Sequence, residues 1–352
     1  MRSLSELEAV TGFAFRNALA DIKDSTSLLA ASGDDTRVPI VTIAVPTFKR
    51  LEFLVTSIGS ALRQDFDRPY QILIVDDDPQ SSLADQLLER LPKLRASNFR
   101  YFVNDQNLGI YDNYNQGLVL ADSDWITFLD DDDILDPDFL SSLFAIIDKK
   151  PHIEALMPSK TIFDERQGRN WSPENRPLAW RIAKRVLAEW VFLGAQVRRI
   201  RVRKFFWGAV IGGVGGFLFK RERAIEAGGL YSEQFPASDF WMMARFAKLF
   251  GVYQARQVTY RIRIRENETS RPATVLKGLR WGYKLQTHLV GREVPRWYAR
   301  LLPLLIAQHR AEFRDFWRSE VPKEELEEAL QIKLPKERRL LLRAVQTALR
   351  GF

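Results

Sequence analysis

The chain contains no cysteine. That excludes disulfides, iron–sulfur clusters and thiolate zinc sites, and it fits a reducing compartment. Histidine is almost missing as well: His152, His288 and His309 are too scattered to suggest a histidine-rich metal site. Long apolar runs are absent. The most apolar stretch, 209–219, is eleven residues with four glycines and cannot span a bilayer. No basic segment followed by an apolar run opens the sequence, so no export signal is expected and the cytoplasm is the expected location. Zinc-finger spacing, RNA-binding aromatic motifs and a basic zipper are all lacking, so nucleic acid is not an expected partner.

What is present is an ordinary globular composition, 46% hydrophobic and 28% charged, over 352 residues. That length exceeds what one core usually supports, so a large domain with an appendage is expected. The net charge of +7 hides an asymmetry. Residues 1–173 hold 17 lysines and arginines against 28 acidic residues, whereas the remainder is strongly basic. An acidic front and a basic rear point to two surfaces with two partners, the rear suiting an anionic membrane surface or a polyanionic acceptor.

Residues 1–37 read as a helical extension closed by the turn-rich Ser32-Gly33-Asp34-Asp35. Strands then alternate with helices: strands over 38–45, 70–75, 98–103 and 125–129, helices over 50–63, 82–91 and 111–120. Asp136 reads as the N-cap of a fourth helix with Pro137 at its first position. Such alternation implies βαβ units on a mainly parallel sheet flanked by helices, where ligands bind at the carboxyl ends of the strands. Polar residues collect at those ends: Pro46-Thr47-Phe48-Lys49-Arg50, Asp76-Asp77-Asp78, Asn104 to Asn107, and Asp130 to Asp133.

Four consecutive aspartates repel one another, and a divalent cation would relieve them. Carboxylate oxygens suit Mg²⁺ or Mn²⁺, which can clamp a diphosphate. A calcium loop of the EF-hand type starting at Asp130 would need glycine where Leu135 stands. An aspartate-nucleophile phosphatase loop would want threonine or valine at Ile134.

The ordered set of motifs resembles the inverting, family 2 glycosyltransferases of GT-A fold, of the bacterial polysaccharide and O-antigen type. Thr42 to Arg50 is similar to their opening strand, Ile74-Val75-Asp76-Asp77 to their second strand end, and Asn107-Leu108-Gly109 with Asn113-Tyr114-Asn115 to their third motif. Phe128 to Asp133 resembles their DxD region, and Gly215 to Phe219 with Gly228-Gly229 their acceptor-side strand and helix. Ser238-Asp239 stands at the catalytic base, and Tyr260-Arg261-Ile262-Arg263 with Asn267 and Ser270 resembles the closing stretch.

The resemblance implies an α/β, Rossmann-like GT-A domain over 38–270, with donor half 38–150 and acceptor half 151–270. Residues 271–352 would form a basic helical C-terminal region, separable from the donor site. It implies that Pro46, Thr47, Phe48 and Asp77 hold a nucleotide base with Asp76 close by, and that Asp130 contacts the ribose. Arg50, Asn107, Gly109, Asn113 and Asp131 complete the nucleotide-sugar site. Asp132 would ligate Mn²⁺ or Mg²⁺, and Asp239 would deprotonate the acceptor hydroxyl.

The implied donor is a UDP-, dTDP- or GDP-sugar, and the implied acceptor a glycan or lipid-linked glycan at the inner face of the plasma membrane. In three places the chain departs from the family pattern. Tyr114 replaces an arginine, Ser238 replaces a glutamate, and residues 260–270 lack the usual histidine. Two other readings stay open here: a sugar-nucleotide-binding protein without catalysis, and a receiver-like domain starting at Ile72. The receiver reading expects a phosphoacceptor near Asp122, which precedes a strand instead of following one.

Overall fold

The computed structural model describes residues 3–164, 195–208, 213–264 and 271–335. Asn267, Ser270 and the part of the expected helical C-terminal region beyond residue 335 lie outside the described residues. The first half of the chain gives α1 (Leu4–Thr11), β1 (Ser27–Ser32), β2 (Val41–Thr47), α2 (Leu51–Ala61), β3 (Tyr70–Asp76), α3 (Leu83–Arg90), β4 (Phe99–Asn104), α4 (Ile110–Leu120), β5 (Trp125–Phe128), β6 (Ile134–Leu135) and α5 (Phe139–Ile147). The second gives β7 (Ala155–Asp164), β8 (Val197–Ile200), β9 (Leu218–Lys220), α6 (Arg221–Glu226), α7 (Ser238–Leu249), β10 (Val252–Ile264), α8 (Pro272–Leu289), α9 (Leu302–Trp317) and α10 (Lys323–Leu330).

The sheet runs β1-β4-β3-β2-β5-β9-β7-β10-β6, with β8 against β10. Its centre, β4-β3-β2-β5, is parallel, as is the β7–β10 pair, while β9 runs antiparallel between β5 and β7. Strands β2 and β3 are buried on both faces, which is why they read as continuous apolar runs. Ile43, Val45, Ile72 and Ile74 pack on Leu54 and Ile58 of α2 and Leu87 of α3. Ala44, Leu73, Val75 and Phe128 face the other way, onto Leu118 of α4 and Phe240 and Met243 of α7.

One local feature opens the crevice. The β2–β5 pairing ends at Ala44 opposite Phe128, while β2 continues beside β3 to Thr47 opposite Asp76. Pro46 has no N–H for a ladder, and it stands where β5 has already turned away. The aspartates that follow β5 therefore sit across a gap from Thr47 rather than in a continuous sheet.

Two expectations are corrected. Residues 1–37 are helical only over Leu4–Thr11 and a 3₁₀ turn at Ala18–Ala20. Ser27–Ser32 is instead an edge strand paired antiparallel with β4, satisfying backbone groups that β4 would otherwise leave open. Leu28 and Leu29 in that strand stay exposed, so burial left no pattern to read. Helix α5 starts at Phe139 after Asp138, with no side-chain cap, because Asp136 is engaged by Arg261 Nε at 2.6 Å.

The basic rear is helical, as expected, and it packs into the main core. Leu285 and Leu289 of α8 and Leu302 and Leu305 of α9 are buried in the same cluster as Phe13, Phe205, Phe206 and Phe240. A smaller core of Val275, Leu279, Ile306 and Leu326 joins these helices to α10. No described helix is long and apolar enough to cross a membrane.

Candidate active site

At the end of β3, Asp77 turns its carboxylate toward the loop that follows β4. It accepts hydrogen bonds from Leu108 N at 2.8 Å, Gly109 N at 2.9 Å and Asn104 Nδ2 at 2.9 Å. Asn107 Nδ2 donates to the Asp77 carbonyl at 3.1 Å, and Asn113 Nδ2 to the Val75 carbonyl at 3.0 Å. Gly109 adopts φ 82°, a left-handed conformation that admits glycine readily and sends the chain into α4. Asp77, Asn107, Gly109 and Asn113 thus form one braced unit. Asp76 is buried beside them and accepts from Tyr101 Oη at 2.6 Å, so it is a structural anchor of the strand end. Burial raises the pKa of both carboxyls. Phe48 stands exposed at the rim, with Lys49 Nζ 5.0 Å from its ring centre.

The four aspartates after β5 diverge, and each meets a protein partner, with Arg50 serving two of them. Asp130 Oδ1 accepts from the Tyr114 hydroxyl. Asp131 turns inward to Thr47 Oγ1 at 2.8 Å and Arg50 Nη1 at 3.2 Å. Asp132 Oδ2 lies 3.2 Å from the same Arg50 nitrogen. Asp133 accepts the Arg263 N–H at 2.8 Å. Burial pushes Asp131 up to about 7, and burial with the neighbouring Asp130 charge raises Asp132 and, strongly, Asp133. Among the described residues no group of three or more acidic or histidine side chains is arranged to hold a metal. Asp130, Asp132 and Asp133 line the cavity, while Asp131 braces the crevice.

A cavity of about 560 Å³ extends from Asp130, Asp132 and Asp133 across to Asp239. Asp239 lies in the first turn of α7 but is not its cap. The N-cap is Ala237, and Asp239 Oδ1 accepts the Phe240 N–H at 2.7 Å. Burial raises its pKa to about 6, against the lowering effects of that hydrogen bond and of Lys160. Two glycines permit the close packing between these ends. A Cβ at Gly215 would fall 2.2 Å from Tyr260 Oη and 2.9 Å from Asp130 Oδ2, and one at Gly216 2.4 Å from the Tyr260 ring. Buried Tyr260 thereby presses its hydroxyl to the Asp130 backbone N–H, at 3.3 Å.

Sequence reasoning missed Lys160. It projects from β7 into the cavity, its Nζ donating to the Gly213 carbonyl at 3.0 Å and lying 5.1 Å from the Tyr260 ring centre. Burial lowers its pKa to about 8, while Asp130, Asp133 and Asp239 act in the opposite direction. The available signal was a single charge in the otherwise neutral run 155–163.

The sequence model described as glycosyl transferase family 2 matches residues 42–222, just over half of the chain. The chain is 36% identical over 107 residues to the WcaA glycosyl transferase of Escherichia coli K12, covering 30% of this chain and 37% of that protein. It is 37% identical over 107 residues to the GalNAc(5)-diNAcBac-PP-undecaprenol beta-1,3-glucosyltransferase of Campylobacter jejuni, covering 30% and 34%. These matches span about a third of the length of the curated relatives.

Among solved structures, S. aureus TarS 1–349 aligns with a TM-score of 0.51 at 15% identity, over 78% of this chain and 72% of that one. Its complex with UDP-GlcNAc gives 0.53 at 14% identity, over 78% and 73%. At such identities the likeness is one of fold. The helix-flanked sheet, parallel at its centre with β2 and β5 parting only at their carboxyl ends, is the GT-A fold, and the chain belongs to glycosyl transferase family 2.

Proposed function

We propose that the protein is an inverting glycosyltransferase that moves a sugar from a UDP-, dTDP- or GDP-linked donor to a hydroxyl of a growing glycan. The observation that carries this reading is the single cavity joining Asp130 and Asp132 to Asp239, whose raised pKa of about 6 suits a general base. Asp239 takes the hydroxyl proton as the acceptor oxygen attacks the anomeric carbon. The bond to the phosphate oxygen breaks, and its electron pair leaves with the nucleoside diphosphate. One displacement inverts the centre and needs no covalent nucleophile.

The donor half is assigned to residues 38–150 and the acceptor half to 151–270. In the donor half, Pro46, Thr47, Phe48 and the Asp77 unit flank the base, and Asp130 the ribose. The cavity carboxylates fit a hard cation completed by phosphate and water, not an all-protein cage. Mn²⁺ or Mg²⁺ held by Asp132 would supply charge neutralisation at the diphosphate. Lys160 and Arg263 also line this cavity and bring positive charge to it.

The Campylobacter relative is named for transfer to an undecaprenol-linked glycan, which supports a lipid-linked acceptor here. Trp297 is 59% exposed, and Arg292, Arg296 and Arg300, close to it in sequence, are exposed as well, a composition suited to anionic headgroups at the inner membrane face. Co-sedimentation with anionic vesicles tests that contact, and Trp297→Ala should weaken it.

A panel of nucleotide-sugars with Mn²⁺ or Mg²⁺, scored by nucleotide release, tests the transferase reading. Donor hydrolysis or transfer supports it and excludes a merely binding protein. Nucleotide binding without release from any donor contradicts it.

A further inference from the structure

The cavity does not end at the acceptor half. Its far wall is built by α8 and α9, through Gly278, Gly282 and Gln286 of one helix and His309, Glu312 and Phe313 of the other. All of these lie beyond residue 222, where the family match ends. The wall is therefore a feature of this chain and not of the shared motif set.

Glycine inside a helix costs about 1 kcal/mol relative to alanine. Helix α8 carries two, one turn apart and both on the cavity. A Cβ at Gly282 would meet nothing within 4 Å, while one at Gly278 would approach Pro236 Cγ at 3.2 Å. The bare backbone thus keeps volume open. One turn further on, Gln286 is 1% exposed and donates from Nε2 to the Phe206 carbonyl at 2.8 Å. Its Oε1 finds no hydrogen-bond partner among the described residues. A buried carbonyl oxygen without a donor is costly, and a ligand hydroxyl would satisfy it.

The rest of the wall has two characters. Phe235, Pro236 and Phe240 are apolar and stand next to Asp239, whereas His309 and Glu312 are polar. Glu312 accepts a hydrogen bond from Gln308 Nε2 of the same helix, at 3.4 Å. A pyranose matches both, with a C–H face for the apolar side and a hydroxyl edge for the polar one.

We propose that α8 and α9 form the acceptor subsite, which seats a pyranose of the acceptor glycan with its reactive hydroxyl toward Asp239. This rests on the transferase reading above. Saturation-transfer NMR on the full chain tests it, using UDP, GDP and dTDP with Mg²⁺, together with the methyl glycosides of glucose, galactose, mannose and N-acetylglucosamine.

The expected result is saturation of a nucleotide and of at least one glycoside. Gly282→Leu, which fills the open space, should weaken glycoside binding at least about tenfold, the scale on which a mis-shaped pocket discriminates. It should leave the nucleotide signal and the melting temperature intact. Glu312→Gln is the second variant and should weaken the glycoside signal while sparing the nucleotide. A nucleotide signal without any glycoside signal in the unmodified protein would overturn the inference, as would glycoside signals unchanged in both variants. Absence of any nucleotide signal would instead overturn the transferase reading on which it rests.

Discussion

Tyr114 of α4 donates its hydroxyl hydrogen to Asp130 at the tip of β5. A cation was expected at that place, and a neutral donor has a different effect. It orients the carboxylate without cancelling its charge, which remains available to Lys160 across the cavity.

Tyr114→Phe should therefore fold but lose about 1.5–3 kcal/mol of stability, the usual contribution of a hydrogen bond to a charged group. Urea denaturation measures the loss, and steady-state kinetics should show a raised donor KM with a smaller change in kcat. Unchanged stability and KM together would mean that Tyr260 and the backbone hold Asp130 without Tyr114.

Leu285 of α8 is fully buried in the main core beside Phe205 and Phe206. Truncating it to alanine leaves a cavity in a region expected from sequence to be peripheral. Leu285→Ala should cost about 2–5 kcal/mol in a denaturant titration. A loss well under 1 kcal/mol would show that the rear helices only rest on the domain.

How much of this was legible beforehand depended on the kind of signal. The parallel strands could be read because burial on both faces forces continuous apolar runs. The aspartate tip could be placed because a buried strand leads directly into it. Ser27–Ser32 could not be read as a strand, since it pairs by backbone bonds at the sheet edge and leaves Leu28 and Leu29 exposed. The direction of each aspartate side chain was also hidden. Asp131 faces Thr47 and Arg50, and Asp133 faces β10, through contacts between residues 81 to 130 positions apart. Lys160 was missed because a single charge in a strand has no periodicity, and the participation of α8 and α9 because their faces meet the cavity only after folding.

Asp132→Ala should abolish most transfer and remove the dependence of donor binding on Mn²⁺ or Mg²⁺, read by isothermal titration of nucleotide with and without the ion. Activity that survives both this change and a chelator would transfer diphosphate stabilisation to Lys160 and Arg263.

The pH profile should bear the mark of Asp239. The ionised carboxylate is the active form, so kcat/KM should fall as pH drops through about 6, where burial has moved this group. The positive charge of Lys160 holds that pKa down. Lys160→Met removes it, so the acidic limb should move to higher pH. A limb that stays in place would mean that Lys160 does not act on the base.

The most direct measurement is single-turnover transfer by Asp239→Asn. The substitution keeps the size of the side chain and removes its basicity, and the helix N-cap is Ala237, so capping is not disturbed. The predicted result is a folded protein with unchanged nucleotide affinity and a transfer rate at least about 10²-fold lower, the usual contribution of a general base. A rate near that of the unmodified protein would contradict the assignment and place the base elsewhere.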